Sequence, residues 1–93
     1  MSLLNSIDQM RTLYEIETVL TDFRTAPFCN ELKLGDYIFL ISEDGRGTIR
    51  IDREGNAVFV SFISNKITTL KKEDIDYDAI SDILKPICGP KKD

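Results

Sequence analysis

Several aspartates in one short segment have the spacing of ligands in a calcium-binding loop. Four of them occupy positions 1, 3, 5 and 9 of the twelve-residue frame 74-DIDYDAISDILK-85, namely Asp74, Asp76, Asp78 and Asp82. Carboxylates at these positions supply oxygen ligands in calcium loops. Position 6 is Ala79, where such a loop needs glycine for a sharp turn, and position 12 is Lys85, where it needs a bidentate glutamate. The segment therefore predicts no metal site.

The same residues are explained by the start of a helix. Asp76 is a residue type that caps helices, because its carboxylate accepts a hydrogen bond from a free backbone N–H. Ile75 and Ile80 have the spacing of a hydrophobic staple around that cap. We predict a short helix over residues 76–85 and a tail over 86–93, of which residues 89–93 are solvated, with the proline that begins the tail as the stop signal.

The sequence does not contain the residues that the commonest enzymatic mechanisms require. The sequence contains no histidine, which excludes Ser-His-Asp and Cys-His nucleophilic pairs. It has no phosphate-binding glycine loop and no dinucleotide fingerprint. Cys29 and Cys88 are the only cysteines and are interpreted as reduced thiols. They form no Cys-x-x-Cys motif and no Cys/His cluster, so the sequence predicts no zinc site. We predict that the protein is not an enzyme and uses no metal or cofactor.

Length and composition indicate one small globular domain over residues 1–93. The chain is 42% hydrophobic and 30% charged, which is typical of soluble domains. Its net charge of −4 argues against direct nucleic-acid binding, where cations must neutralise phosphates. No apolar run approaches the roughly 20 residues of a membrane span, and no secretion signal is recognisable. These features predict a cytoplasmic protein that does not enter a membrane.

The N-terminal segment predicts a long helix over residues 3–25. Apolar residues recur at intervals of three and four, and Ser6 with Gln9 resembles a capping box, so the well-formed part begins near Ile7. Pro27 marks the end. The apolar stripe is wide for so small a core. It packs on the rest of the domain, or it forms a partner-binding or homodimer face that includes Met10, Leu13, Tyr14 and Leu20.

The middle of the chain, residues 34–72, predicts an antiparallel sheet. Residues 37–41 are apolar on both faces, which is typical of a strand buried on both sides. Alternating apolar residues and short turns follow, and residues 67–70 form the last strand. The fold class is therefore α+β: a long helix, a curled four-stranded meander or small barrel, and a short C-terminal helix.

The block 34–75 resembles an SH3-like small barrel of the Tudor or KOW type. The resemblance rests on Gly35-Asp36, on the Gly45-Arg46-Gly47 turn, on Thr48-Ile49 opening a strand, on Val58, Val60 and Phe62, and on the closing Lys-Glu-Asp-Ile. It implies a curled sheet with glycines at the sharp turns. It also implies a non-enzymatic role, in which such barrels dock proteins, peptides or nucleic acids and attach to transcription, translation or repair machinery.

Three functional hypotheses follow. The first is a protein-interaction module, an adaptor or inhibitor of a protein partner such as a nucleic-acid-processing machine. The second is a DNA-mimicking decoy that displays two sets of carboxylates: Asp8, Glu15 and Asp22 on the outer helix face, and the acidic run 73–82. The third is a nucleic-acid-binding barrel that uses the hairpin arginines Arg46, Arg50 and Arg53. The modest negative charge favours the first of these.

Overall fold

The computed structural model describes residues 6–23 and 28–88 of the 93-residue chain, with side chains for 6–23 and 31–87. The architecture is α+β, as the sequence predicts. The elements in chain order are α1 (Ile7–Thr21), β1 (Phe28–Leu34), β2 (Tyr37–Ser42), β3 (Gly47–Ile51), β4 (Ala57–Ser61), β5 (Lys66–Leu70), a single 3₁₀ turn (Lys72–Asp74) and α2 (Tyr77–Cys88).

The strands form an open, five-stranded antiparallel meander in the order β1-β2-β3-β4-β5. Over the described strands, β1 and β5 lie at opposite edges, so the sheet is not closed into a barrel. The predicted four-stranded meander omitted β1. Its segment 28-FCNELKL-34 contains Glu31 and Lys33 between apolar residues, and these charges conceal the alternation of a strand that pairs with β2 along residues 30–34, beyond an irregularity between Phe28 and Asn30.

Both helices pack on the same face of the sheet and against each other. Side chains alternate along β2, β3 and β4, with every second residue buried beneath the helices. The core contains Leu13, Ile16, Val19, Leu20 and Phe23 of α1 and its C-terminal end, Ile38, Leu40, Ile49, Ile51, Ala57 and Phe59 of the sheet, and Ile80, Leu84 and Ile87 of α2. The result is two layers, with helices on one side only.

Helix α1 is shorter than the predicted span of 3–25. It begins at Ile7, as the capping signal predicts, because the Ser6 side chain accepts a hydrogen bond from the Gln9 N–H at 2.9 Å. It ends at Thr21, with Asp22 as its C-cap. Residues 3–5 and 24–25, and the predicted stop at Pro27, lie outside the described residues.

Polar side chains of α1 fasten the helix to the sheet. The Gln9 amide does not complete a capping box; it donates instead to the carbonyl oxygens of Asp36 and Ile51, at 2.7 and 3.2 Å. The Thr12 hydroxyl donates to the Gly55 carbonyl at 2.5 Å. Gln9 and Thr12 are both buried. These buried polar residues therefore set the position of the helix over the turn between β3 and β4.

Helix α2 is capped by Asp76, as predicted, but it does not end at residue 85 as predicted. The Asp76 carboxylate accepts the Ala79 N–H at 2.8 Å, and Ile80 is fully buried one turn later. The helix continues through Pro86 to Cys88, rather than ending at 85. Ile87 is buried in the core, so packing outweighs the hydrogen bond that a proline removes from a helix. Of the predicted tail, residues 89–93 lie outside the described part of the chain.

Candidate functional site

The face of the sheet opposite the helices is the most distinctive surface of the molecule. It is called the open face here and is formed by the outward side chains of all strands: Leu32, Leu34, Tyr37, Phe39, Ile41, Thr48, Arg50, Val58, Val60, Ile67 and Thr69. No element within 6–23 or 28–88 covers it. Its apolar side chains are exposed or only partly buried, with Leu34 at 54% and Ile67 at 68% of full exposure.

The strand register arranges these side chains in rows across the sheet. One row runs through Leu32, Phe39, Arg50, Val58 and Thr69, each directly opposite the next on adjacent strands. Directly opposed side chains on one face lie in contact range. A second row is formed in the same way by Ile41, Thr48, Val60 and Ile67. The open face is therefore a continuous, largely aliphatic surface.

An arginine and two aromatic rings lie within this aliphatic surface. The guanidinium carbon of Arg50 lies over the Tyr37 ring, 4.7 Å from its centroid, a geometry of cation–π attraction. The Tyr37 and Phe39 rings are 6.1 Å apart and tilted by 59°. The Nε of Arg50 is buried and has no hydrogen-bond partner. Arg50 thus belongs to the open face by position and differs from its neighbours in charge.

Ion pairs lie in the turns at the two ends of the open face. At one end Arg53 lies 3.5 Å from the Asp36 carboxylate. At the other end Arg46 pairs with Asp44 at 2.8 Å. A hydrogen bond from Ser42, assisted by the charge of Arg46, lowers the pKa of Asp44. An apolar centre with a charged periphery is the common anatomy of protein interfaces.

The three arginines predicted to contact nucleic acid do not converge on one edge. Arg46 precedes β3 and Arg53 follows it, so an extended strand holds them about 20 Å apart. Each is paired with a neighbouring aspartate. Arg50 alone lies on the open face. No concentrated cationic groove is formed by these residues.

The helix residues predicted to bind a partner divide into two groups. Leu13 and Leu20 are buried in the core, so they offer no surface to another molecule. Met10 and Tyr14 are exposed, at 40% and 69%, and line up with Ile7 at 85%. Intervals of three and four residues place these three on one side of α1. This exposed helix stripe is a second, smaller apolar surface.

Two of the three carboxylates predicted as an acidic contact face, Asp8 and Asp22, are bonded to other side chains of the protein. Asp8 accepts from the Lys72 ammonium at 3.0 Å, and Asp22 accepts from the Tyr77 hydroxyl at 2.5 Å. That bond and the negative charge of Asp22 raise the pKa of Tyr77. Glu15 lies at the edge of a shallow depression that also contains Arg11 and Lys72. Cations therefore interrupt this face, unlike a dense carboxylate array.

Two aspartates of the calcium-like frame make contacts within α2. Asp76 caps the helix, and Asp82 lies 3.6 Å from Lys85. Across residues 6–23 and 28–88, no group of three or more potential ligands is arranged to hold a metal ion. In the same ranges, neither helix is long and apolar enough to cross a membrane. The side chains of Cys29 and Cys88 lie outside the described residues.

Comparisons of the chain with protein-family models, curated proteins and solved structures gave no significant match. The resemblance to Tudor or KOW barrels stays a prediction from the sequence. The open face was not identified in the sequence, although the apolar character of both sides of residues 37–41 is its signal. Ile38 and Leu40 are covered by the helices, whereas Tyr37, Phe39 and Ile41 are not.

Proposed function

We propose that this protein is a non-enzymatic interaction module that binds another protein through the open face of its sheet. One observation carries the proposal: the sheet is apolar on both sides, but the described elements cover only one side. Contiguous exposed apolar patches are uncommon on monomers and mark interaction sites. Aromatic anchors and an arginine are also the residue types that contribute most to binding at interfaces.

Charge favours a protein partner over nucleic acid. The open face has one cation, Arg50, among many aliphatic side chains, and the whole chain has a net charge of −4. Nucleic-acid platforms combine stacking aromatic residues with several cations that follow the phosphates. The open face is therefore more complementary to an apolar protein surface than to a nucleic acid. An adaptor or inhibitor role follows from such a surface, because it requires no catalytic group.

The test compares two variants with matched charge changes. The sheet variant Val60→Lys with Ile67→Lys places two adjacent lysines on the open face. The helix variant Met10→Lys with Tyr14→Lys places two adjacent lysines on the exposed stripe. Each immobilised protein is incubated with lysate of the source organism, after nuclease treatment and in high salt. We expect a stoichiometric partner to be retained by the wild type and the helix variant, and lost by the sheet variant.

Two results would contradict this proposal. The first is that no protein is retained in stoichiometric amount. The second is that the same protein is retained equally by the wild type and the sheet variant. Unfolding by urea, measured for each variant, separates loss of binding from loss of folding.

The exposed helix stripe supports a second candidate, a homodimer through α1. Ile7, Met10 and Tyr14 are exposed apolar residues on one side of the helix, and isologous helix contacts are a common route to dimers. This candidate predicts a mass in solution of twice 10.6 kDa, and a return to the monomer in the helix variant. A monomeric wild type would exclude it.

A further inference from the structure

Arg50 occupies the centre of the open face. It lies on β3, the middle strand of the five, and in the middle of the row that passes from Leu32 through Phe39 to Val58 and Thr69. The side chain is only partly exposed. A partner that covers this face therefore covers the arginine as well.

The hydrogen-bonding capacity of Arg50 is unused within the described residues. Arg46 and Arg53 each lie beside an aspartate, at 2.8 and 3.5 Å. Arg50 pairs with no carboxylate of the described chain, and its buried Nε has no acceptor. Its contact is with the face of Tyr37, which restrains the guanidinium without accepting a hydrogen bond from it.

Covering such a group with an apolar surface is unfavourable. A buried charge is tolerated only when it is paired and hydrogen-bonded, because otherwise its hydration is lost without replacement. A purely aliphatic partner would leave the guanidinium in that condition. A carboxylate would satisfy it with two parallel N–H···O bonds, the strongest and most geometrically specific pairing available to arginine.

We propose that the partner of the open face presents an Asp or Glu side chain, set within an apolar segment, to the guanidinium of Arg50. This inference rests on the proposed function of the open face. It makes Arg50 the specificity-determining residue: the aliphatic rows contribute apolar contact, and the arginine selects segments that carry a carboxylate at the centre of that contact.

The same geometry disfavours self-association through this face. Sheets that pack face to face have strands that are either nearly aligned or crossed at about 90°. In both arrangements, a symmetric pair centred on this face would bring the two Arg50 side chains close to the two-fold axis, because Arg50 lies at the centre of the face. Like charges would then be buried together without a counter-charge, which costs free energy. A different chain with an acidic group is the complementary occupant.

The test uses a random twelve-residue peptide display library, selected in parallel on the wild type, Arg50→Met, Arg50→Lys and the sheet variant Val60→Lys with Ile67→Lys. We expect the wild type to enrich apolar peptides with one acidic residue at a fixed position. Arg50→Met should lose this acidic preference while retaining apolar peptides. Arg50→Lys should keep a weaker preference, because an ammonium retains the charge and lacks the planar fork.

A selected peptide is then synthesised with its acid and with the matching amide. We expect the acid-to-amide change to weaken binding to the wild type by about tenfold or more, and to leave binding to Arg50→Met nearly unchanged. This double-mutant cycle needs only one protein variant. It also separates a pairing between two groups from a general loss of the surface.

The outcomes distinguish this inference from the proposed function. Peptides that need the open face but show no acidic preference would overturn the role of Arg50 and leave the proposed function standing. Selection of no peptide, or only of peptides that bind the sheet variant equally, would contradict both. Arg50-dependent binding of a single-stranded oligonucleotide (dT12), or a dimer that the sheet variant dissociates, would replace the acidic protein segment with a different occupant.

Discussion

Gly55 lies directly against the main chain of Asp8. A Cβ atom at position 55 would lie 2.8 Å from the Asp8 carbonyl oxygen, and the φ angle there is +91°. The Gly55 carbonyl also accepts the Thr12 hydroxyl. The turn between β3 and β4 is thus a point of close backbone contact between α1 and the sheet.

Replacing this glycine should weaken the contact between the two layers. Gly55→Ala requires an unfavourable backbone conformation, at about 1–3 kcal/mol, and it also forces the helix away from the turn. Gly35→Ala is the matched control, because φ is +60° there and nothing lies within 4 Å of the added Cβ. Urea unfolding should show a clearly larger loss for Gly55→Ala. Equal losses of stability in the two variants would mean that the unfavourable backbone conformation, and not the contact with α1, accounts for the effect.

Local signals made much of the fold predictable from the sequence. The cap at Asp76 and the start of α1 at Ile7 depend on neighbouring residues only, and so does the glycine turn at Gly45, whose φ is +79°. Pro86 is a counter-example. Its local signal is to end a helix, and the burial of Ile87 overrides that signal. This burial depends on core residues that are distant in the sequence, so the residues around Pro86 do not reveal it.

The open face shows a different limit of prediction from the sequence. Alternation along a strand reveals that both sides of β2 are apolar, but it does not reveal what covers each side. The helices supply one cover, over Ile38 and Leu40. A binding partner is proposed as the other. Strand β1 escaped prediction because Glu31 and Lys33 lie on the helix side of an edge strand, where both are exposed.

Gln9 should be sensitive to loss of its amide. Gln9→Met removes the donor to the Asp36 and Ile51 carbonyls, and it should lower the free energy of unfolding by about 1–3 kcal/mol. Gln9→Glu should be worse at pH 7, because it directs a negative charge at two carbonyl oxygens. Arg11→Met, on the exposed side of the same helix, should stay within about 0.5 kcal/mol of the wild type.

Acidification provides a second measurement on the same position. The carboxyl group introduced by Gln9→Glu can donate one hydrogen bond once it is protonated. The difference in stability between Gln9→Glu and Gln9→Met should therefore shrink as the pH falls towards about 4. A difference that is constant with pH would show that volume, rather than charge, determines the effect.

The cap of α2 can be tested together with the calcium-like spacing. Asp76→Ala removes the acceptor of the Ala79 N–H and should lower stability by about 1 kcal/mol. Asp82→Ala, which changes another position of the same frame, should cost less because Asp82 is exposed and makes only a long contact to Lys85. Added calcium should leave the melting temperature of all three proteins unchanged. A calcium-dependent rise in the wild type alone would support a metal site.

Glu17 provides a pH-dependent prediction. Glu17 is an exposed residue, but partial desolvation of its carboxyl group and the neighbouring negative charge of Glu31 raise its pKa. The folded state therefore holds this proton more tightly than the unfolded state, so stability is lost as the pH rises from the ordinary glutamate range through the raised pKa. Glu17→Gln should increase the melting temperature at pH 7 and give no increase at pH 3. Glu54→Gln, in the exposed β3–β4 turn, should change neither.

The last turn of α2 separates the sequence prediction from the structure most directly. If residue 87 belonged to a tail beyond the helix and outside the core, Ile87→Ala would change stability by about 0.5 kcal/mol or less. In the structure Ile87 is 3% exposed. Its Cγ2 would lie 3.4 Å from a Cβ on Gly47, and its carbonyl oxygen lies 3.5 Å from Arg46 Nη1. Ile87→Ala should therefore cost about 2–4 kcal/mol in urea unfolding. Lys85→Ala, two residues earlier and exposed, is the control. Equal effects of the two changes on stability would mean that residue 87 belongs to the predicted tail and not to the core.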